Sequence, residues 1–512
     1  MARNVWLLAK GVKRRRRSCP KVARLRHAEK SLQIMNSIAI IGGGITGLVA
    51  AYRLREKGFP VTVYEASERV GGVIQTVRQD GYLAECGPNT ILEGSPKIPE
   101  LVTDLDLSQR RIYCDPEAKK RYVVRNKRLV NLPATALGFV TTPLLSPAAK
   151  LRALTEPFVR RVPETKEESV AEFVERRFGP EFLYQALDSL VSNIYPSDTE
   201  KLSVSQAFPK LRARERRNGS LIKGRVLRTV KGKKDAEVAK PDAPKFSFDH
   251  GLQVLTDTLY DKLRPVLRLN SPVIKITQKK FGWAVTTRIG DCELHQGHSA
   301  VLYAGTAFRL PEIQVATDRY INWSPFAEIH YPAVASVVLG FRREDLAHPL
   351  NGFGVLVPRT EGFNILGTIF SSSLFSNRAP AGCVTLTSYL DGGRTPDLAK
   401  RSGDELCKLV YEDLRVLLGI RGEPTFNHDT LFPKAIPQYD VGFGRFRTLM
   451  KQIESKAPRL FFAGNYRDGI SLAESIVSAE EGCERIQSSL ASAASTPAKS
   501  RVSGRTLAVS TQ

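Results

Sequence analysis

Residues 38–65 read IAIIGGGITGLVAAYRLREKGFPVTVYE, and the order of residue types in this stretch decides the fold class. Ile38 to Ile41 is a short, wholly apolar run, as expected of a parallel strand buried on both faces. It runs into Gly42, Gly44 and Gly47, spaced as GxGxxG, and Leu48 to Lys57 then has the composition of a helix that Gly58 closes. Val61 to Tyr64 predicts a second strand, with Glu65 at its end. The glycines serve different ends. Gly42 turns the chain, Gly44 lets backbone approach a pyrophosphate, and Gly47 lets helix and strand pack closely. The helix start turns unsatisfied N–H groups toward phosphate, and Glu65 accepts from ribose hydroxyls. A carboxylate there repels a 2′-phosphate. Strand, glycines, helix, strand and acid in that order predict an α/β chain with a Rossmann-type dinucleotide domain.

The remainder of the chain sets limits. Its 512 residues suit two or three domains, and 42% hydrophobic residues exclude disorder over most of the length. Lys and Arg number 76 against 52 Asp and Glu, a net +24 that favours anionic partners. Two clusters hold much of the excess. Residues 1–34 carry eleven basic residues and one acid, Glu29, and residues 208–240 carry twelve and three. Both read as solvated segments. No aromatic platform accompanies them, so nucleic acid is not an expected partner. Seven cysteines without a CxxC pair speak against a disulfide scaffold or structural zinc. His295 and His298 precede an apolar run, and no metal site is expected. The longest uncharged stretch, Leu129 to Ala149, is broken by Pro133, Pro143 and Pro147 and does not span a bilayer. The basic start reads either as an organellar transit peptide or as upstream of a true start at Met35; the second is preferred.

Beyond Glu65 comes Glu68-Arg69-Val70-Gly71-Gly72. This extension resembles the flavoprotein family that includes amine oxidases, phytoene desaturases and protoporphyrinogen oxidases. The resemblance implies FAD, with Arg69 offering charge to the pyrophosphate. Arg459 to Ala463, the turn Gly464 to Gly469 and the helical stretch Ile470 to Arg485 supply a matching piece at the other end of the chain. The expected FAD contacts are Gly42, Gly43, Gly44, Ile45, Thr46, Gly47, Glu65, Arg69, Gly71, Gly72, Val73, Gly87, Pro88, Asn89, Thr90, Val273, Asn465, Ile470, Ser471 and Leu472. Val273 is placed in a strand, Ser271 to Thr277, of the same sheet as Ala300 to Ala304.

The resemblance narrows to oxygen-dependent protoporphyrinogen oxidase over roughly Ser37 to Ile486. It rests on Glu85-Cys86-Gly87-Pro88-Asn89, Asn351 to Arg359, Leu366 to Phe375, Asn377-Arg378-Ala379-Pro380 and Ala435 to Tyr439. It implies a large apolar macrocycle with two propionates as substrate and molecular oxygen as electron acceptor. Arg121 takes the propionate role, since a planar guanidinium meets a carboxylate bidentately; Lys120 is the alternative. Phe353, Leu356, Ile369 and Tyr389 face the ring. No acid or base stands out, so no catalytic side chain is assigned and the chemistry is left to the flavin N5. Coproporphyrinogen III oxidation in the same fold remains the nearest alternative, and an amine oxidase the next. The covalent-flavin amine oxidases carry a Cys where this chain has Ala473-Glu474-Ser475.

The expected organisation is a basic extension (1–34), an FAD domain (35–92, 245–305 and 455–490), a helical insert (93–215), a basic loop (216–244), a strand-rich substrate domain (306–450) and a flexible tail (491–512). In the resembled family the insert sits on membranes, and Leu132 to Leu154 is the candidate segment. The expected location is peripheral, on the cytoplasmic face of the cell membrane, with an organelle left open by the transit-peptide reading. Pairing as a homodimer is left open.

Overall fold

The computed structural model describes residues 36–224 and 243–494 apart from positions 134, 164, 193 and 197. The basic extension, Met35 as a start, residues 225–242 of the basic loop and residues 495–512 of the tail lie outside the described residues.

Ile38–Ile41 is a strand with every residue buried. It is central in a five-stranded parallel sheet ordered Leu267–Arg268, Val61–Tyr64, Ile38–Ile41, Ala300–Tyr303, Leu460–Phe462. The strict alternation of a strand divides its side chains between two cores. Ile38, Ile40, Ala300 and Leu302 pack with the helices Ile45–Glu56, Gln253–Leu263 and Leu472–Ala494. Ala39, Ile41, Val301 and Tyr303 point the other way, into an aromatic cluster with Trp283, Trp323, Phe326 and Phe462. Each large apolar side chain among them contributes about 1.5–3 kcal/mol on burial.

Several expectations are corrected. The Val273 strand, Val273–Lys279, does not join the sheet of Ala300. It folds back on Gly282–Ile289 and belongs to a separate four-stranded sheet, because a two-residue turn favours local antiparallel pairing over a long crossover. The parallel sheet takes Leu267–Arg268 instead. The C-terminal helix runs to Ala494, past the expected start of the tail, because Cys483, Ile486 and Leu490 recur at helical spacing and pack on the nucleotide core.

The region read as a helical insert from residue 93 contains strands before its main helices. Arg121–Arg125 and Arg128–Asn131 form one edge of a seven-stranded sheet that continues through Gly354–Leu356, Ile365–Ile369, Cys383–Asp391, Val334–Arg342 and Phe426–Phe432. Val123 and Val124 are β-branched and fully buried on opposite faces of it, which favours a strand over a helix. One face of this sheet packs on the helix Gly403–Leu418, which starts in a Ser402–Glu405 capping box and ends at Gly419 in a left-handed conformation.

Helices take over from Ala136–Thr141 onward and include Val170–Phe178 and Pro209–Asn218. The last of these corrects the solvated reading of the second basic cluster. Arg212 and Glu215 are buried in an ion network with Arg176, Arg177, Glu156 and Glu168. Arg177 meets Glu156 at 2.9 Å with neither side chain exposed, and Glu156 also accepts from the backbone N–H groups of Leu221 and Ile222. Opposite charges within the network offset the loss of water, whereas removing one partner costs about 3–5 kcal/mol.

Candidate functional site

The glycines of the first loop differ as their environments dictate. Gly42 has φ +110°, and a Cβ there would lie 2.9 Å from the backbone of Ala304 and Gly305. A Cβ on Gly47 would collide with the Gly42 carbonyl oxygen. A Cβ on Gly44 would meet nothing within 4 Å. The protein therefore does not need glycine at 44 for its own packing; the open space is what a closely approaching ligand would use. Ile45 and Thr46 start the helix, and Thr46 donates to the Ser475 carbonyl at 3.3 Å, tying the N-terminal loop to the C-terminal helix. Arg53 adds an ion pair to Glu480 at 2.9 Å across the same helix pair. Glu65 stands at the end of its strand, one oxygen accepting from the Gly43 N–H at 2.6 Å and the other from the Ser67 N–H at 2.8 Å.

Gly71 donates to the Gly43 carbonyl at 2.8 Å, so the Gly71–Gly72 pair lies against the first loop. The Arg69 guanidinium donates to the carbonyls of Val70, Ile74 and Gly72 and staples this turn together. Val73 is exposed beside it, and its carbonyl oxygen would collide with a Cβ on Gly87. From the far end of the chain come Asn465, whose carbonyl accepts from the Tyr439 hydroxyl, and Ile470, packed on the aromatic core. Ser471 caps the helix that begins at Leu472, and Glu474 accepts from both the N–H and the hydroxyl of Ser471. With the Glu474 N–H donating to the Ser471 hydroxyl, the two residues form a capping box at the start of this helix. Val273 opens its strand half-buried against the aromatic core.

Residues 87–90 are half-buried and connect the two halves of the site. The Asn89 amide donates to the Tyr389 hydroxyl, which donates to the Gly87 carbonyl at 3.3 Å. Burial pushes the Tyr389 phenol up, so it stays protonated and serves as a donor. Just before the loop, Glu85 is buried against Arg378 at 3.4 Å and accepts from the Thr76 hydroxyl and the Leu252 N–H. Burial raises the Glu85 carboxyl, and Arg378 and these donors oppose the rise.

The seven-stranded sheet brings the other predicted residues together. Arg121 pairs with Gly354, Gly354 with Ile369, Leu356 with Val123, and Gly367 with Tyr389. Counting by twos from these pairs places Arg121, Leu356, Ile369 and Tyr389 on one face, while Tyr122, Val124 and Val355 turn to the helix Gly403–Leu418. All four, and Phe353, are half-buried. Phe353 packs with Ile112, Cys114, Ile369, Leu374 and Phe375, and the Arg121 guanidinium carbon lies 5.3 Å from its ring centroid. Lys120 is exposed, with its carbonyl accepting from the Phe353 N–H. The contacts that sequence did not supply are Glu85–Arg378 and Asn89–Tyr389, which join residues 293 and 300 positions apart. A cavity of about 500 Å³ lies at the start of the C-terminal helix, with Lys210, Arg447, Arg467, Ser471 and Glu474 in its lining. Among the described residues no cluster of His, Cys, Asp or Glu is arranged to hold a metal ion.

The family model for flavin-containing amine oxidoreductases matches residues 45–487. The chain belongs to this family. The oxidoreductase is 34% identical to protoporphyrinogen oxidase 2, chloroplastic/mitochondrial, of Arabidopsis thaliana, over 87% of this chain and 92% of that one. It is 32% identical to the mitochondrial protoporphyrinogen oxidase of Nicotiana tabacum (87% and 93%) and 30% identical to coproporphyrinogen III oxidase of Bacillus subtilis strain 168 (86% and 95%). Cyclohexylamine oxidase from Brevibacterium oxydans IH-35A shares its fold, with a TM-score of 0.62 at 15% identity over 89% of this chain and 99% of that one.

The cofactor of this flavoprotein is FAD. The open space at Gly44, the backbone donors at the helix start and the carboxylate of Glu65 fit such a dinucleotide. When bound, FAD supplies a two-electron acceptor that dioxygen can reoxidise. Tyr389 fixes the 87–90 loop through Asn89 and the Gly87 carbonyl, and the half-buried sheet face beside it ends in the Arg121 cation.

Proposed function

We propose that this oxidoreductase converts protoporphyrinogen IX to protoporphyrin IX, with dioxygen as the final electron acceptor, in tetrapyrrole biosynthesis. The observation that carries the reading is one sheet face on which Leu356, Ile369 and Tyr389, with Phe353 at its edge, form an apolar surface bordered by the Arg121 guanidinium. An apolar macrocycle with propionates needs that combination: an oily plane and a cation at one edge. In this reading the FAD pyrophosphate lies along Gly42 to Gly47, its ribose at Glu65, and its ring beside residues 87–90 and the start of the C-terminal helix.

Coproporphyrinogen III is the second substrate reading, favoured by relatives of that name at 30% identity. Purified yellow protein assayed with both porphyrinogens under oxygen distinguishes them. Faster turnover of protoporphyrinogen supports the first reading, faster turnover of coproporphyrinogen the second, and no turnover of either removes both.

Peripheral association with the cytoplasmic face of a membrane is part of the same proposal. Among the described residues no helix is long and apolar enough to cross one. Leu137, Val140, Leu151, Leu154 and Phe158 are exposed in or beside the short helices that follow the first strands of the insert, Phe158 at 84%. Side chains of this size, exposed together, suit a lipid leaflet better than water. Lys150 and Arg152 are turned to backbone carbonyls of the insert, so the attachment is apolar in character. Replacing Leu151 and Leu154 with Glu should abolish flotation with phospholipid vesicles and leave flavin content unchanged; undiminished flotation would count against this surface.

A further inference from the structure

We infer that His428 is a positioning residue for the flavin, holding the entry of the 87–90 loop through the Cys86 sulfur as Tyr389 holds its interior. The inference rests on the reading that the flavin ring lies beside residues 87–90 and deepens it, because it states which side chains set where that loop stands.

The strand Tyr82–Glu85 forms a hairpin with Thr76–Gln79 and runs directly into the loop. Side chains at every second position of a strand face the same way, and Tyr82, Ala84 and Cys86 all turn to the seven-stranded sheet. Tyr82 stacks on Phe426 with ring centroids 4.9 Å apart, and Ala84 packs in one cluster with Phe426 and Val338. The Cys86 sulfur lies 3.3 Å from the His428 Nε2, and the Thr430 hydroxyl is 3.4 Å from the same nitrogen. Cys86 is buried and His428 half-buried. Burial raises the Cys86 thiol, which therefore keeps its proton and can donate it to that nitrogen. The Cys86 backbone N–H donates to the Gln75 carbonyl at 2.9 Å. Cys86 is thus tied by its backbone to the hairpin and by its side chain to the substrate sheet, one residue before the loop begins.

The two holders of the loop stand on neighbouring rows of one sheet face. In the strand Val334–Arg342, Ser336 pairs with Tyr389 on one side and Thr430 on the other, and Val338 pairs with Thr387 and His428. Cross-strand partners share a face, as do residues two apart. Tyr389 and His428 therefore serve the same loop from opposite sides of that strand, Tyr389 at Gly87 and Asn89 and His428 at Cys86. A loop held at one point pivots about it; held at two, it keeps both its distance and its tilt. Reaction at a flavin is steep in the placement of the groups around it, so the second hold acts on rate rather than on substrate affinity.

His428→Ala should slow anaerobic reduction of the bound flavin by protoporphyrinogen roughly fivefold or more, the size of one lost hydrogen bond. Steady-state KM should stay within about twofold of the parent, with flavin content unchanged. His428→Gln, whose amide reaches the position of Nε2, should recover most of the rate. Cys86→Ala should match His428→Ala, and the double variant should be no slower than either, because both remove one contact. The visible circular dichroism of the flavin reports the surroundings of the ring with no substrate present. It should change in the same variants, and it decides the case if the parent turns over neither porphyrinogen. Asn89→Ala, within the loop, is the control and should alter both signals. A parental rate and dichroism in His428→Ala beside an altered Asn89→Ala removes this inference alone, whereas parental signals in both variants remove the reading of the loop beneath it. Effects of Cys86→Ala and His428→Ala that multiply in the double variant overturn the assignment, as does a lower flavin content at an unchanged rate per bound flavin.

Discussion

The proposed nucleotide cradle and the proposed substrate face are built by opposite means. The cradle is made almost wholly of backbone: glycines at 42, 44, 47, 71 and 72, and N–H groups at helix starts. The substrate face is made of side chains that share a side of a sheet only because strands from residues 121, 354, 369 and 389 fall into one register. A backbone site is sensitive to any added atom and indifferent to most neighbours. A side-chain site tolerates nearby change and depends on the few groups that carry charge or shape.

Substitutions within the cradle should separate packing from ligand contact and give the largest effects. Gly47→Ala should yield little soluble protein, because its Cβ collides with the Gly42 carbonyl oxygen. Gly44→Val should yield folded but colourless protein, since its side chain fills space that only the ligand uses. Absorbance of the purified variants checks both; full flavin absorbance in Gly44→Val would overturn the assignment of this loop.

The junction between the two regions comes next. Glu85→Ala leaves the Arg378 guanidinium buried without its carboxylate, and chemical denaturation should show a loss of about 3–5 kcal/mol. A loss under about 1 kcal/mol would mean that the pair contributes little to joining the regions.

On the substrate face, Arg121→Ala should remove about 1.5–3 kcal/mol of substrate binding. Its mark should be a raised KM at unchanged flavin content, because the carboxylate lies away from the reacting carbon. Arg121→Lys should restore part of it, a point charge lacking the fork. A parental KM in Arg121→Ala would take this residue out of the site.

The smallest effect concerns a buried histidine on the aromatic side of the parallel sheet. His298 is buried with its Nε2 2.9 Å from the Tyr64 hydroxyl, and burial lowers its pKa to about 4. The unfolded chain takes up this proton near pH 6.5 while the folded chain resists it. The associated stability is therefore complete above about pH 6.5 and is lost as pH falls toward 4. Between pH 7 and 5 the loss amounts to about 2 kcal/mol. Melting curves of the parent and His298→Asn should diverge in slope over that interval; parallel slopes would refute the assignment.

The cradle was legible in the sequence because a strand, a glycine turn and a helix are local, and their spacing states the geometry directly. Even there, the bonds that Arg69 and Ser471 make within their own turns were not read, since a sequence does not reveal which acceptor lies nearest. Arg121, Phe353, Leu356, Ile369 and Tyr389 were proposed through resemblance, and nothing in their spacing announced that Arg121, Leu356, Ile369 and Tyr389 share a face. The Asn89–Tyr389 contact and the Glu85–Arg378 pair join elements some three hundred residues apart. The misplacement of Val273 has the same root: an apolar strand names its burial and not its sheet. Arg212 and Glu215 read as solvated because charge suggests water, and only the folded helix shows that their partners are inside.

The C-terminal strand Leu460–Phe462 closes the parallel sheet beside Ala300–Tyr303, and the helix after it leans on the first glycine loop. During synthesis the glycine loop emerges early, while Ser471 and Leu472 follow more than four hundred residues later. At ribosomal speeds of about 5–20 residues per second, the loop waits tens of seconds for its counterpart. A chain stalled or clipped before residue 460 has the opening motif and no closed cradle. Chains cut before residue 460 are therefore expected to purify pale, which their absorbance would check.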